Sequence, residues 1–224
     1  MMTGFPISPK LARGGIVVMD GASGRVRRII AFQYNADTVT RTMQVRGVGA
    51  ESGDRMEALR LKGPPAETIK LEAEFDATDQ LEFPDLRTND AVARSGLHPA
   101  LAALEMLVYP SSDALQDMDR LAAQGAIEIA PLEAPLTLFI WGRNRIIPVR
   151  ITELSVTEEA FDSSLNPTRA KVSLGLRVLS VDDVGFDHRA GALYLLHQQQ
   201  KEKFLRDAPT AELTALGITA VPGG

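Results

Sequence analysis

Two stretches of this chain alternate residue by residue between apolar and polar side chains. Ile69, Leu71, Ala73 and Phe75 interleave with Lys70, Glu72, Glu74 and Asp76; Ala170, Val172, Leu174, Leu176 and Val178 interleave with Lys171, Ser173, Gly175 and Arg177. A period of two sends the two sets to opposite faces, so both stretches predict strands with one face in a core and the other in water. Half-buried strands of this kind belong to antiparallel sheets, and two alone do not make a stable sheet. Further strands are therefore expected, and the sequence offers them.

Gly15–Met19 is a short apolar run, residues 20–24 (DGASG) form a turn cluster, and Val26–Gln33 is a second run, together a hairpin signature. Thr38, Val39, Thr40, Thr42 and Val45 restore β-branched character, with Arg41 and Arg46 at polar positions. Pro135–Trp141, a turn at Gly142-Arg143-Asn144, and a long strand over Arg145–Thr157 follow later, and Asn166-Pro167 marks another turn. Helix signals are fewer. Pro99 opens a helix whose Leu97, Leu101, Leu104, Leu107 and Val108 form one apolar face, ended by Pro110. Ser111-Ser112 caps a second through Leu115, Met118 and Leu121, with Gly125 as its stop, while residues 77–96 read as irregular. After a polar break at Asp182-Asp183, Leu193, Leu196, Gln200 and Phe204 share a helical face, and a short helix runs from Pro209 to Gly217. The expected fold is α+β and mainly β, an antiparallel β-sandwich or barrel over residues 1–183, with one flanking helix and a helical tail over residues 184–224.

Composition narrows the chemistry. The chain has 224 residues and no cysteine, which excludes disulfides, thiolate metal sites and a thiol nucleophile. Three histidines (His98, His188, His197) make histidine-rich metal chemistry a poor fit. The net charge is -5, but residues 1–50 hold seven basic residues and two acidic, leaving the remainder at -10. That asymmetry marks either a polyanion-facing surface or the solvated edge of an antiparallel sheet; the spread of the arginines favours the edge. Residues 1–10 show no charged segment followed by an apolar one, and no apolar stretch approaches the length of a spanning helix. Assembly in the cytoplasm, without a cleaved export signal or membrane insertion, is the expectation.

Four features resemble sites. Asp76, Asp79 and Glu82 offer oxygen ligands but lack the central glycine of a calcium loop, so a solvated acidic loop is expected. Gly21-Ala22-Ser23-Gly24 lies between strands, whereas a phosphate loop needs a helix N-terminus, so a hairpin turn is expected. His98 stands beside Pro99 at a helix start, where a capping or surface role is expected, and Trp141 ends a strand, where a core or subunit contact is expected. Without a nucleophile elbow, a zinc-protease helix or a Walker loop, the residues predict no enzyme, and no cofactor or metal. Two other classes stay open: a small-ligand β-barrel, against which stands the 5% aromatic content, and a nucleic-acid-binding β domain, against which stands the negative net charge.

Several blocks in order resemble a known family. Phe32-Gln33-Tyr34-Asn35 precedes a Thr/Arg-rich strand; residues 63–71 (GPPAETIKL) continue into residues 75–79 (FDATD). Residues 99–105 (PALAALE) run on to Tyr109-Pro110; residues 138–142 (LFIWG) precede residues 151–156 (ITELSV) and residues 165–172 (LNPTRAKV). This set, over about residues 12–180, resembles the N-terminal tube-type domain of contractile injection system proteins, the phage-tail-like machines. The resemblance implies two packed antiparallel sheets with a flanking helix and a non-enzymatic, structural role. It further implies six-fold rings around a channel, serving as an adaptor or initiator between the inner tube and the baseplate hub and spike. Many relatives carry a C-terminal LysM module; here residues 187–224 are too short for one, so peptidoglycan binding is not implied.

A ring subunit needs a reaching element, and residues 46–65, rich in glycine, proline and balanced charge, are the expected one. Arg46, Gly47, Glu51, Asp54, Arg55 and Arg60 in that loop are expected at a subunit interface. Leu193, Leu196 and Phe204 of the tail helix join them, docking on a neighbouring component rather than on their own domain.

Overall fold

The computed structural model describes residues 12–47, 60–83, 85–86, 89–125 and 134–222. Seven strands form one sheet: β1 (Gly15–Met19), β2 (Val26–Ala31), β3 (Val39–Gln44), β4 (Ala66–Asp76), β5 (Leu136–Ile140), β6 (Ile146–Phe161) and β7 (Pro167–Val178). Their spatial order is β2-β1-β5-β6-β7-β4-β3, and every neighbouring pair is antiparallel. At the coarser level the expectation holds, since the chain is mainly antiparallel sheet with a few helices. Among the described residues, pairing does not close the sheet: β2 and β3 stand at its two ends.

β6 joins the two halves. Its first residues, Ile146–Val149, pair with β5, and from Val149 to Phe161 it pairs with β7. The register shifts between Ile151 and Glu153, just past the handover, and again near Ala160. Such bulges bend a strand and increase its twist. Beyond β2, Phe32 is fully buried and the Gln33 side chain acts as a peptide group. Its Nε2 donates to the Asp76 carbonyl at 2.6 Å, and its Oε1 accepts from the Asp76 N–H at 2.9 Å. Asp76 ends β4, one strand in from the opposite edge, so this amide pair ties the two halves of a curled sheet together.

The alternation read in β4 and β7 fills the core. Ile69, Leu71, Ala73 and Phe75 join Ala170, Val172, Leu174, Leu176 and Val178 in one buried cluster with Ile16, Ile30, Phe139, Ile147 and Val149. Helix α3 (His98–Glu105) covers it with Leu97, Leu101 and Leu104, each at most 4% exposed. Val108, expected on that face, is 44% exposed, because the helix ends at Glu105 and the chain turns before Pro110. Residues 77–96, expected to be irregular, contain α1 (Thr78–Leu81) and α2 (Asp90–Ser95). Neither helix buries a residue, so no periodic apolar signal marks them. Ser111 caps α4 (Ser112–Ala123) as expected, its Oγ accepting from the Ala114 N–H at 3.2 Å.

The C-terminal region departs most from expectation. The Asp182-Asp183 break is a one-turn helix, α5 (Val181–Val184), closed by a capping box between Ser180 and Asp183. Helix α6 (Arg189–Asp207) lies back on its own domain, with Ala190, Gly191, Tyr194 and His197 buried. Ala190 and Leu193 pack with Val17, Leu136 and Leu138 of β1 and β5, while Tyr194 joins the main core. This face of α6 therefore packs on its own domain. Of the expected stripe, Leu193 is half-buried, and Leu196 and Phe204 are 61% and 45% exposed. The reason is contact geometry: Gly191 rests against the Gly185 carbonyl, an approach that only a residue without a Cβ permits.

Candidate assembly surface

The polar sets of β4, β7 and β6 form the outer face of the larger half-sheet. Lys70, Glu72 and Glu74 stand opposite Gly175, Ser173 and Lys171. Lys70 Nζ reaches Glu153 at 3.5 Å and Lys171 Nζ reaches Glu159 at 3.0 Å. The Glu159 hydrogen bond and charge, with Glu74 and Glu72 nearby, raise the Lys171 ammonium above the ordinary lysine range. Beside β3 this face opens into a cleft of about 510 Å³, lined by Tyr34, Asp37, Thr40, Lys70, Glu72 and Glu74 among others. Its neighbour at Asp76 is held by Arg169 at 3.0 Å. The Thr78 hydroxyl, opposed by burial, and then the Thr78 N–H and Arg169 keep the Asp76 carboxyl below the usual range.

The two sheet edges differ in charge. In β2 only Ile30 is buried; Arg25, Arg27 and Arg28 are exposed, and Val26 and Ile29 are 54% and 68% exposed. Asp20 in the preceding turn accepts from the Ser23 N–H and pairs with Arg27, and these bonds hold its carboxyl well below the usual range. The hairpin turn expected at residues 20–24 is thus an Asp-capped turn. In β3, Thr40, Thr42, Met43 and Gln44 are exposed and none is charged.

The root of the expected interface loop is fixed. Gly47 bridges to Leu61, and the Lys62 N–H donates to the Arg46 carbonyl at 2.8 Å. Arg46 Nη1 lies 3.3 Å from Asp182 of α5. Arg60 is exposed. Glu51, Asp54 and Arg55 lie outside the described residues. The structure thus ties Arg46 to α5 and Gly47 to Leu61 at the loop base, while Leu196 and Phe204 stand on the outward side of α6.

Sequence reading missed a charged cluster beneath α6. Glu67 is 4% exposed and on the apolar phase of β4, the phase of Ile69 and Leu71. Arg41 of β3 grips it, Nε at 2.7 Å and Nη2 at 2.6 Å, and Lys201 of α6 stands 3.6 Å away. Arg145 of the β5–β6 turn adds its charge; burial, then Arg41, lowers its own pKa. His197 is buried with Nε2 lacking a hydrogen-bond partner; burial, then Lys201, pushes its pKa down to about 4. Burial, with Glu67, Asp182 and Asp183 adding, raises the Tyr194 phenol. Parity was the available signal, since residue 67 shares the phase of 69, 71, 73 and 75.

The remaining sequence candidates resolve simply. Asp76 caps Thr78, and among the described residues no group of acidic or histidine side chains is arranged to hold a metal ion. His98 begins α3. Trp141 is partly buried and stacks on Phe139, ring centroids 5.8 Å apart, with Gly14 against its ring. No helix among the described residues is long and apolar enough to cross a membrane.

The chain matches no protein-family model and no curated protein. Among solved structures it is similar to a chain in the tail of an empty gene transfer agent particle with C6 symmetry. That match has 12% identity and a TM-score of 0.30, covering 74% of this chain and 90% of that one. It is also similar to a chain in the virion of a native gene transfer agent particle, with 10% identity, a TM-score of 0.28 and the same two coverages.

Proposed function

We propose that this protein is a structural subunit of a phage-tail-like contractile injection particle. It assembles with copies of itself into a six-fold ring between the inner tube and the baseplate hub and spike. The ring is built in the cytoplasm and needs no cofactor. Its β domain spans residues 1–183, curled into the two facing layers of a tube-type sandwich, and residues 184–224 form an appended helical tail. The loop at residues 46–65 and the outward face of α6, with Leu196 and Phe204, contact neighbouring components.

The observation that carries this reading is the open sheet. Its seven strands end in β2 and β3, neither paired on its outer side among the described residues. An exposed edge is a template for association, and a head-to-tail contact that closes on itself satisfies all edges at once. The resemblance of the ordered blocks over residues 12–180 supports the family reading. The pinned loop base at Arg46 and Asp182 supports the loop's role, because a contact element gains from a fixed root.

Negative-stain imaging and light scattering of the purified full chain test the reading. Six-fold rings, or a concentration-dependent oligomer that incorporates into tubes when co-expressed with an inner tube protein, are expected. A monomer at every concentration that never enters particles overturns it. Replacing residues 48–59 with a short Gly-Ser linker should leave the subunit folded and break the join between tube and baseplate.

A further inference from the structure

The charge asymmetry of the sequence becomes a spatial one in the fold. The β2 edge and its turn carry Arg25, Arg27 and Arg28 against one carboxylate, Asp20. The cleft beside the other edge carries Asp37, Glu72 and Glu74 against one ammonium, Lys70. The edge is therefore positive by two charges and the cleft negative by two. The edge lies on β2 and its turn, whereas the cleft is lined by the segment after β2 and by β3 and β4, so the two charged surfaces are built from different residues. Tyr34, 48% exposed, lines the cleft and offers a ring face, which suits a guanidinium among carboxylates.

We propose that the β2 edge of one copy seats in the Tyr34–Glu72–Glu74 cleft of the next, and that this contact is the head-to-tail interface of the ring. The inference rests on the ring reading above and names the surfaces that make it. Exposed Val26 and Ile29 supply apolar area on the same edge, and the arginines supply register and direction. Two like edges repel and two like clefts repel, so the contact pairs an edge with a cleft, as a head-to-tail interface requires. The only occupant with the complementary charge that the chain itself provides is a second copy.

Charge reversal tests it on the full chain. Arg27→Glu/Arg28→Glu makes an acidic edge, and Glu72→Lys/Glu74→Lys makes a basic cleft. All four positions are exposed, so thermal melting should stay within a few degrees of wild type. Each variant alone should lose self-association by about tenfold or more in Kd. Mixed one to one, they should recover it. The acidic edge then meets the basic cleft, and the wild-type edge of one variant meets the wild-type cleft of the other. Only alternating assemblies close, which a ring of six accommodates. Wild-type association should also weaken as salt rises, a reading that needs no variant.

If wild type forms rings and both variants do so equally well, this inference falls and the ring reading stands. If wild type stays monomeric at all concentrations, both fall. If the arginines instead bind oligonucleotides while association is unchanged by reversal, the edge serves a nucleic acid and the inference is overturned. Recovery in the mixture, absent from either variant alone, supports it.

Discussion

Glu67→Gln separates the charge of the buried cluster from its shape. The substitution keeps the side-chain volume and one acceptor but removes the anion that holds Arg41 and Lys201. Glu67 is 4% exposed, whereas the Arg41 and Lys201 side chains are 25% and 35% exposed. Breaking a fully buried pair costs about 3–5 kcal/mol and an exposed one about 0–1. With one partner buried and two partly solvated, the expected loss is about 2–3 kcal/mol at pH 7. For a chain of this size that lowers Tm by roughly 4–12 °C. Urea unfolding followed by far-UV circular dichroism reads the loss, with an unchanged m-value confirming that the native state is intact. Arg41→Met/Glu67→Leu removes both charges and should recover most of it, since an apolar pair of similar volume avoids leaving a lone charge buried. A loss below about 1 kcal/mol for Glu67→Gln would refute the premise that this carboxylate anchors α6.

His197 gives a pH signature: with its folded pKa near 4 and an unfolded value of 6.5, the unfolded chain binds more protons between the two. Stability should therefore fall as pH drops from about 6.5 towards 4, and His197→Leu should flatten that window in melts across the range. Gly191→Ala, ordinarily worth about 1 kcal/mol in favour of a helix, should destabilise the protein, because the new Cβ collides with the Gly185 carbonyl; a raised Tm would mean α5 and α6 sit farther apart. Leu104→Ala, at a fully buried position of α3, should cost about 2–5 kcal/mol in urea unfolding, and a loss under about 1 would place that face outside the core.

The strands were legible because their signal is local. A period of two over Ile69–Phe75 and Ala170–Val178 is decided by neighbours in sequence, and the structure places those residues where the period puts them. The pairing of β1 with β5 and of β4 with β7 was not legible, since nothing in a single strand names a partner about a hundred residues away. The same limit hid the Gln33–Asp76 amide pair, which depends on curvature set by bulges in β6. Loop composition singled out Arg46 and Gly47, but the tie of Arg46 to Asp182 and the bridge of Gly47 to Leu61 come from tertiary placement.

Helix α6 shows why an apolar stripe does not by itself choose a buried face. Leu193, Leu196 and Phe204 form its expected apolar stripe, yet the helix buries Ala190, Gly191, Tyr194 and His197. The surface it meets decides this: a glycine carbonyl that admits only Gly191, a core edge that takes Tyr194, and a carboxylate that draws Lys201. Hydrophobicity rewards burial of area without regard to direction, whereas close approach and a buried charge fix direction. Once those three contacts orient the helix, Leu196 and Phe204 are left facing outward, at a cost that a neighbouring component can offset in the assembly. The face that binds its own domain and the face proposed to contact a neighbour are thus different faces of one helix. A substitution at Glu67 should therefore act on folding, and one at Leu196 or Phe204 on assembly, with little exchange between the two readouts.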